Sequence, residues 1–283
     1  MPATHPFIPR ILLAFDFDRT LATDSIDAVC EEYGIGREEW TERFEEALGE
    51  EWDEITRRGQ ALIDLGRAMD RPLTDAILRD AAQRIRLYDG VLEMPDRLRA
   101  AAADVMEGIE LEFVVLSSGY AKIIEGTRIV DVFDRVLASA FHNADDEGGT
   151  AICVKRVVAH PQKALYLEAL GKGVGIEGSN APERAGDPVD EHDMHCPFDQ
   201  MIYLGDGASD LQAFGFLNEN AGLTVAIGRN DDFGGSAEQV AAQRVDDLAA
   251  PTYAEGSELL GALRHAVRAC AHRIALRKMS RGE

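Results

Sequence analysis

Asp16 and Asp18 stand one residue apart at the end of the apolar run Ile11 to Phe15, with Thr20 two places further on. Side chains alternate along an extended backbone, so positions two apart share a face and the two carboxylates form a paired site. The run has the length and unbroken hydrophobicity of a strand buried on both faces, and open parallel sheets bind ligands where such strands leave the sheet. An Asp at a strand end also caps helices or makes Asx-turns, so the pair alone does not define a chemistry. The design is repeated downstream. Ile202 to Leu204 leads into Gly205-Asp206-Gly207-Ala208-Ser209-Asp210, where the flanking glycines let the backbone turn tightly near a ligand and Asp210 falls in the expected first turn of a helix. Between the two, Phe113 to Leu116 runs into Ser117-Ser118-Gly119-Tyr120, whose hydroxyls and amides suit an anion.

Asp16, Asp18, Asp206 and Asp210 together concentrate negative charge. At about 4 Å each pair repels by about 4 kcal/mol at an effective dielectric near 20, so the cluster calls for a cation. Carboxylate oxygens with room for water and a phosphate oxygen suit Mg²⁺. Neither His nor Cys clusters at these motifs, which makes zinc the poorer fit.

The order of these motifs resembles the haloacid dehalogenase-like (HAD) hydrolase superfamily, and within it the phosphatases related to phosphoserine phosphatase. Asp16, Asp18 and Thr20 match its Asp-x-Asp-x-Thr motif, Ser117 its second motif, and Gly205 to Asp210 its Gly-Asp-Gly-x-x-Asp motif. The third motif, a lysine ahead of a helix, is matched best by Lys163, which follows Pro161 and heads the apolar pattern Leu165, Leu167, Leu170. Its competitor Lys155 lies in Ile152 to Lys155, which alternates like a strand.

The resemblance implies a phosphatase in which Asp16 attacks phosphorus to form an aspartyl-phosphate. Asp18 would protonate the leaving alkoxide and then deprotonate the hydrolytic water. Asp16, the backbone carbonyl of Asp18, and Asp206 would hold Mg²⁺ with Asp210 in support, while Ser117, Ser118, Gly119 and Lys163 would bind the phosphate oxygens. Family members that cleave carbon–halogen bonds lack an acid at the Asp18 position, because a halide leaves without a proton. Arg19 departs from the small residue usual there and reads as a surface side chain beside the site. A phosphomutase would use the same residues, and a non-enzymatic phospho-acceptor domain also clusters Asp, a hydroxyl and Lys.

The elements expected to position these residues form an α/β fold, a three-layered Rossmann-like parallel sheet core from residues 1–24 and 87–283. A helical cap of residues 25–86 is inserted between the first and second motifs. Phe44, Leu48, Ile55, Leu62, Leu65 and Met69 fit amphipathic helices broken at Gly34, Gly36 and Gly49, and Arg43, Arg57, Arg58 and Arg67 are cap cations that could meet substrate. Later expectations are a helix over Ile123 to Ile129, a strand at Val136 to Ser139, and a hairpin over His142 to Lys155 turning at Asp146 to Gly149. Gly171 to Gln200 reads as a polar surface excursion, with His192 to Cys196 a solvated loop in preference to half of a metal site. A C-terminal helix presents Leu259, Leu263, Val267, Cys270 and Ile274 on one stripe.

The 283 residues suffice for a large core, and 46% are hydrophobic without a membrane-length span. Met1 to Arg10 lacks signal-peptide character, and the four cysteines are scattered, so the cytoplasm is the expected compartment. The net charge of −22 repels nucleic acid and anionic membranes. It also repels a small phosphorylated metabolite at long range, so that partner requires local positive charge at the site.

Overall fold

In the central strand β1 (Arg10–Phe15), Ile11, Leu13 and Phe15 face one apolar layer and Leu12 and Ala14 the other, the period of two that a strand buried on both sides requires. The computed structural model describes residues 6–144, 149–176, 181–228 and 247–280. Within them β1 pairs in parallel with β2 (Glu110–Tyr120) and with β5 (Met201–Gly205). The remaining strands are β3 (Arg135–Asn143), β4 (Ala151–Arg156), β6 (Leu223–Ile227) and β7 (Asp247–Ala249), and the seven-stranded order is β4-β3-β2-β1-β5-β6-β7. Only β4, at the edge, runs antiparallel. The chain adds strands outward from β1 in one direction as far as β4, then resumes on the other side with β5. The crevice between β1 and β5 is therefore the topological switch point, and Asp16 and Asp206 emerge there.

Helices cover both faces. Against one pack α5 (Met94–Ala103), α6 (Ala121–Glu125) and the C-terminal helix α10 (Glu258–Ser280); against the other pack α7 (Gln162–Lys172), α8 (Ala181–Arg184) and α9 (Leu211–Glu219). The three layers are those expected, and the C-terminal stripe from Leu259 to Ile274 is buried in the first of them. None of the helices among the described residues is long and apolar enough to cross a membrane.

Between β1 and β2 the chain forms α1 (Ser25–Glu32), α2 (Arg37–Trp40), α3 (Glu54–Ala68) and α4 (Asp75–Ala82). Gly34 and Gly49 break this region with positive φ of 75° and 88°, a conformation that only glycine adopts without cost. Its apolar cluster, centred on Trp40, Leu62, Leu65 and Leu78, also takes in Tyr120, Ile123, Phe141 and Ala151 from outside the segment. The β3–β4 hairpin is thus part of the same packing unit; its turn residues Asp146 to Gly148 lie outside the described residues.

Two expectations need correction. The helix anticipated over Ile123 to Ile129 stops at Glu125. A Cβ on Gly126 would lie 2.7 Å from that of Ala82, and Thr127 then caps a single 3₁₀ turn, Arg128–Asp131. The His192 to Cys196 stretch is only in part a solvated loop: His192 and Asp193 are exposed, but Cys196 is fully buried and His195 Nε2 lies 2.5 Å from Glu112 Oε2.

Candidate active site

Asp16 remains part of the sheet, its N–H donating to the Leu204 carbonyl at 2.8 Å, so its side chain is fixed by the strand that carries it. It is 6% exposed, with Oδ1 accepting from the Phe17 N–H and Oδ2 at 3.1 Å from Lys163 Nζ. The following turn is tight: Thr20, Leu21 and Ala22 all donate N–H to the Phe17 carbonyl, and Arg19 takes a positive φ of 60°. Tyr253 Oη donates to the buried Thr20 carbonyl, which ties the loop to the core. Arg19 projects outward, as expected, and reaches Asp24 at 3.4 Å.

Asp18 faces the same cleft. Its Oδ1 accepts from the Ser25 N–H at 2.7 Å and its Oδ2 from the Ser25 hydroxyl at 2.9 Å. Burial, with the carboxylates of Asp24 and Asp16 nearby, pushes its pKa up to about 8. Burial likewise raises Asp16 to about 7, against the opposing pull of Lys163.

Lys163 lies in the first turn of α7 and is fully buried. Besides Asp16 it contacts Asp210 Oδ1 at 2.6 Å, and Asp210 also accepts from Tyr203 Oη at 2.6 Å and Ser209 Oγ at 3.1 Å. Burial alone would lower the lysine's pKa, but these two carboxylates outweigh it and hold the ammonium charged. Gly205 is required by this packing, since a Cβ there would come within 2.3 Å of the Asp210 carboxyl carbon. Lys155, the rejected competitor, is exposed on β4.

At the end of β2 the register with β3 slips between Ser117 and Tyr120, leaving Ser118 and Gly119 bulged toward the cleft. The Ser117 hydroxyl accepts from the Gly119 N–H at 3.0 Å. Gly119 has no room to be anything else without displacing a neighbour, because its Cβ would stand 3.1 Å from Asp18 Oδ2.

Oxygens of Asp16, Asp206 and Asp210 lie within 4.8 Å of one another. Asp206, half-buried, has its pKa raised by burial and by Asp210. An all-oxygen cluster with this much mutual repulsion fits a hard divalent cation. Asp210 is already committed to Lys163 and Tyr203, which suits a supporting role, whereas the only hydrogen bond that Asp206 accepts among the described residues comes from Ser209 at 3.4 Å. The Asp18 side chain stands apart from these three, engaged by Ser25.

The cleft over these groups has a volume of about 820 Å³ and is walled on one side by residues of the helical segment. Of the four arginines singled out there, only Arg58 lines it. Arg43 pairs with Glu39, Arg67 with Asp64, and Arg57 donates to the Gly49 carbonyl. Arg37, Glu54 and His160 line the cleft and were not anticipated. Nothing in their local pattern marks Arg37 or Glu54 among many helix-surface charges; His160, three residues ahead of Lys163, carried a usable signal. The His192 to Cys196 stretch lies at the other end of the strands, with His195 held by Arg10 and Glu112.

No family model matches the sequence. An uncharacterized protein of Borreliella burgdorferi is 23% identical over 279 residues, covering 88% of this chain and 93% of that one. Among solved structures, a HAD family hydrolase from Salmonella enterica serovar Typhi aligns with a TM-score of 0.54 at 17% identity, over 89% of this chain and 70% of its own. A phosphoserine phosphatase captured as a phospho-aspartyl intermediate analogue gives 0.52 at 20% identity, over 90% and 98%. A cytosolic 5′-nucleotidase IIIB bound to cytidine gives 0.53 at 10% identity, over 95% and 88%. The chain has the fold of HAD hydrolases.

Proposed function

We propose that the protein is a Mg²⁺-dependent phosphatase that hydrolyses a small phosphorylated metabolite through an aspartyl-phosphate on Asp16. The observation that carries this reading is the convergence of Asp16, Asp206 and Asp210 within 4.8 Å, with Lys163 3.1 Å from Asp16 and Asp18 on the same cleft. The HAD fold supports it.

An Asp16 oxygen bonds to phosphorus while the ester P–O bond breaks, and the proton on Asp18 passes to the leaving oxygen. Asp18, now a carboxylate, takes a proton from the water that bonds to phosphorus as the bond from phosphorus to Asp16 breaks. This releases inorganic phosphate, restores the Asp16 carboxylate and reprotonates Asp18. The raised pKa of Asp18 supports its role, because a carboxyl protonated near neutrality can act as the acid. Lys163, Ser117 and the amides around Ser118 and Gly119 would offset charge on the transferring phosphoryl group. Asp16, Asp206 and the Asp18 carbonyl would hold Mg²⁺, which when bound neutralises the carboxylates and polarises the phosphoryl oxygens. Residues 25–86 act in this proposal as the cap that reads the leaving group. The cytoplasm belongs to the same proposal, supported by four unpaired cysteines, three of them buried.

The test is release of inorganic phosphate by purified protein with Mg²⁺ from a panel of phosphorylated metabolites and an aryl phosphate. Multiple turnovers are expected, and Asp16→Asn should lower kcat by about a thousandfold or more with the fold retained. A single stable phosphorylation without turnover would instead indicate a phospho-acceptor, and near-normal turnover by the variant would remove the covalent step.

A further inference from the structure

Ser25 is fully buried at the first helical position of α1, and among the described residues its hydroxyl has one hydrogen-bond partner, Asp18. The helix does not need that hydroxyl. Asp24, one residue earlier, already caps α1 by accepting from the N–H groups of Ile26 and Asp27. Ser25 instead turns both its N–H and its Oγ toward the two oxygens of Asp18, at 2.7 and 2.9 Å. On the other flank of the carboxyl, Gly119 leaves only the space that a missing side chain provides, 3.1 Å from Oδ2 to where its Cβ would be.

We infer that Ser25 is a positioning residue for Asp18, so that the helical segment, and not the sheet alone, sets the direction in which Asp18 presents its proton. The inference rests on the phosphatase reading above. A hydroxyl suits this task because it can donate to Oδ2 in both states, to the carboxylate and to an oxygen of the protonated acid, whose own proton stays free for the leaving oxygen. The same contact therefore holds before and after the proton moves to the leaving oxygen, and Ser25 itself exchanges none. An ammonium or guanidinium there would favour only the ionised form. With no hydroxyl, Oδ2 would be free to swing about the bond that Oδ1 alone anchors.

The experiment measures kcat/KM for a series of substituted phenyl phosphates, from 2,4-dinitrophenyl phosphate to phenyl phosphate, with Mg²⁺. That ratio reports on steps up to loss of the phenol. A dinitrophenolate leaves with little need of a proton, whereas phenolate needs the acid. General acid catalysis contributes about 10²–10⁴-fold, so loss of its alignment should be visible. Ser25→Ala is expected to lower kcat/KM for phenyl phosphate at least about tenfold more than for the dinitrophenyl ester, steepening the dependence on leaving-group acidity. Ser25→Cys, closer in volume and a weak donor, should steepen it as well, and Ser25→Thr should restore the shallow dependence. Equal losses across the series, with or without a lower melting temperature, would mean that Ser25 serves the fold alone and would overturn the inference while leaving the phosphatase reading intact. Failure of the unaltered protein to hydrolyse any of the esters would overturn both.

Discussion

Asp16 and Asp18 carry pKa values of about 7 and about 8, far above the ordinary 3.8, in each case first because they are buried. For a carboxyl whose folded pKa exceeds its unfolded one, the folded state binds more protons between the two values, so stability falls as pH rises through that window. Metal-free protein should accordingly melt at lower temperature at pH 8.5 than at pH 5.5. In the proposed reaction Mg²⁺ would compete with those protons, and its addition should raise the melting temperature more at the higher pH while restoring activity lost to a chelator. Thermal denaturation with chelator and with Mg²⁺ at both pH values measures this. An equal rise at both would show that the cation binds elsewhere. At this scale the sequence was informative: the Asp-x-Asp-x-Thr and Gly-Asp-Gly-x-x-Asp spacings are local, and local spacing decides which side chains share a strand end. Ser25 was not legible, because its meaning lies in a contact with Asp18 across a loop and a helix start.

Among the elements, α3 brings Arg58 to the cleft and turns Arg57 away, a consequence of the 100° between neighbouring helical positions. Arg58→Ala should raise KM several-fold more than it lowers kcat, whereas Arg57→Ala should leave KM within about twofold, as steady-state kinetics would record. Arg58 is also held by Glu45 at 3.2 Å and Glu54 at 2.7 Å, so its removal leaves the buried Glu45 without its cation and a modest loss of stability is expected alongside. The segment from His192 to Cys196 acts on a different element. Replacing His192, His195 and Cys196 together with Ala should preserve Mg²⁺-dependent kcat below the melting transition, because the stretch lies at the far end of the strands. The melting temperature should drop, since the variant loses the contact with Glu112 and opens a cavity at the buried Cys196. A loss of kcat in fully folded variant would contradict this division. Helices and strands were largely readable from periodicity; that this polar stretch is pinned to β1 and β2 was not, because such pairing is specified by residues more than eighty positions away.

Over the whole molecule the net charge of −22 sets a field that disfavours approach of a phosphate dianion. Screening shortens that field to about 10 Å at 0.1 M salt. In the proposed reaction kcat/KM for an anionic ester should therefore rise about twofold or more between low and physiological ionic strength, with kcat little changed. A fall would indicate that local cations such as Arg58 and Lys163 dominate the encounter. The strand order and its switch point came only with the structure, but that the motifs end strands of a parallel sheet followed from the apolar runs that precede them. The joint packing of the β3–β4 hairpin with α1 to α4 did not, since two apolar strands give no sign of which layer will claim them.

That joint packing centres on Tyr120, which directly follows the cleft-lining Ser117-Ser118-Gly119. Its ring stacks on Phe141 at 4.3 Å and its hydroxyl donates to the Ile55 carbonyl of α3. A recombination that exchanged residues 25–86 for the corresponding segment of a relative would cut this cluster in two, stranding Tyr120, Ile123, Phe141 and Ala151 against foreign surface. The unit that can be inherited or engineered as one piece is discontinuous: the helical segment together with the tip of β2 and the hairpin. New specificity in such a lineage should arise by substitution within a retained partnership, with whole-segment replacement succeeding only where the hairpin travels too.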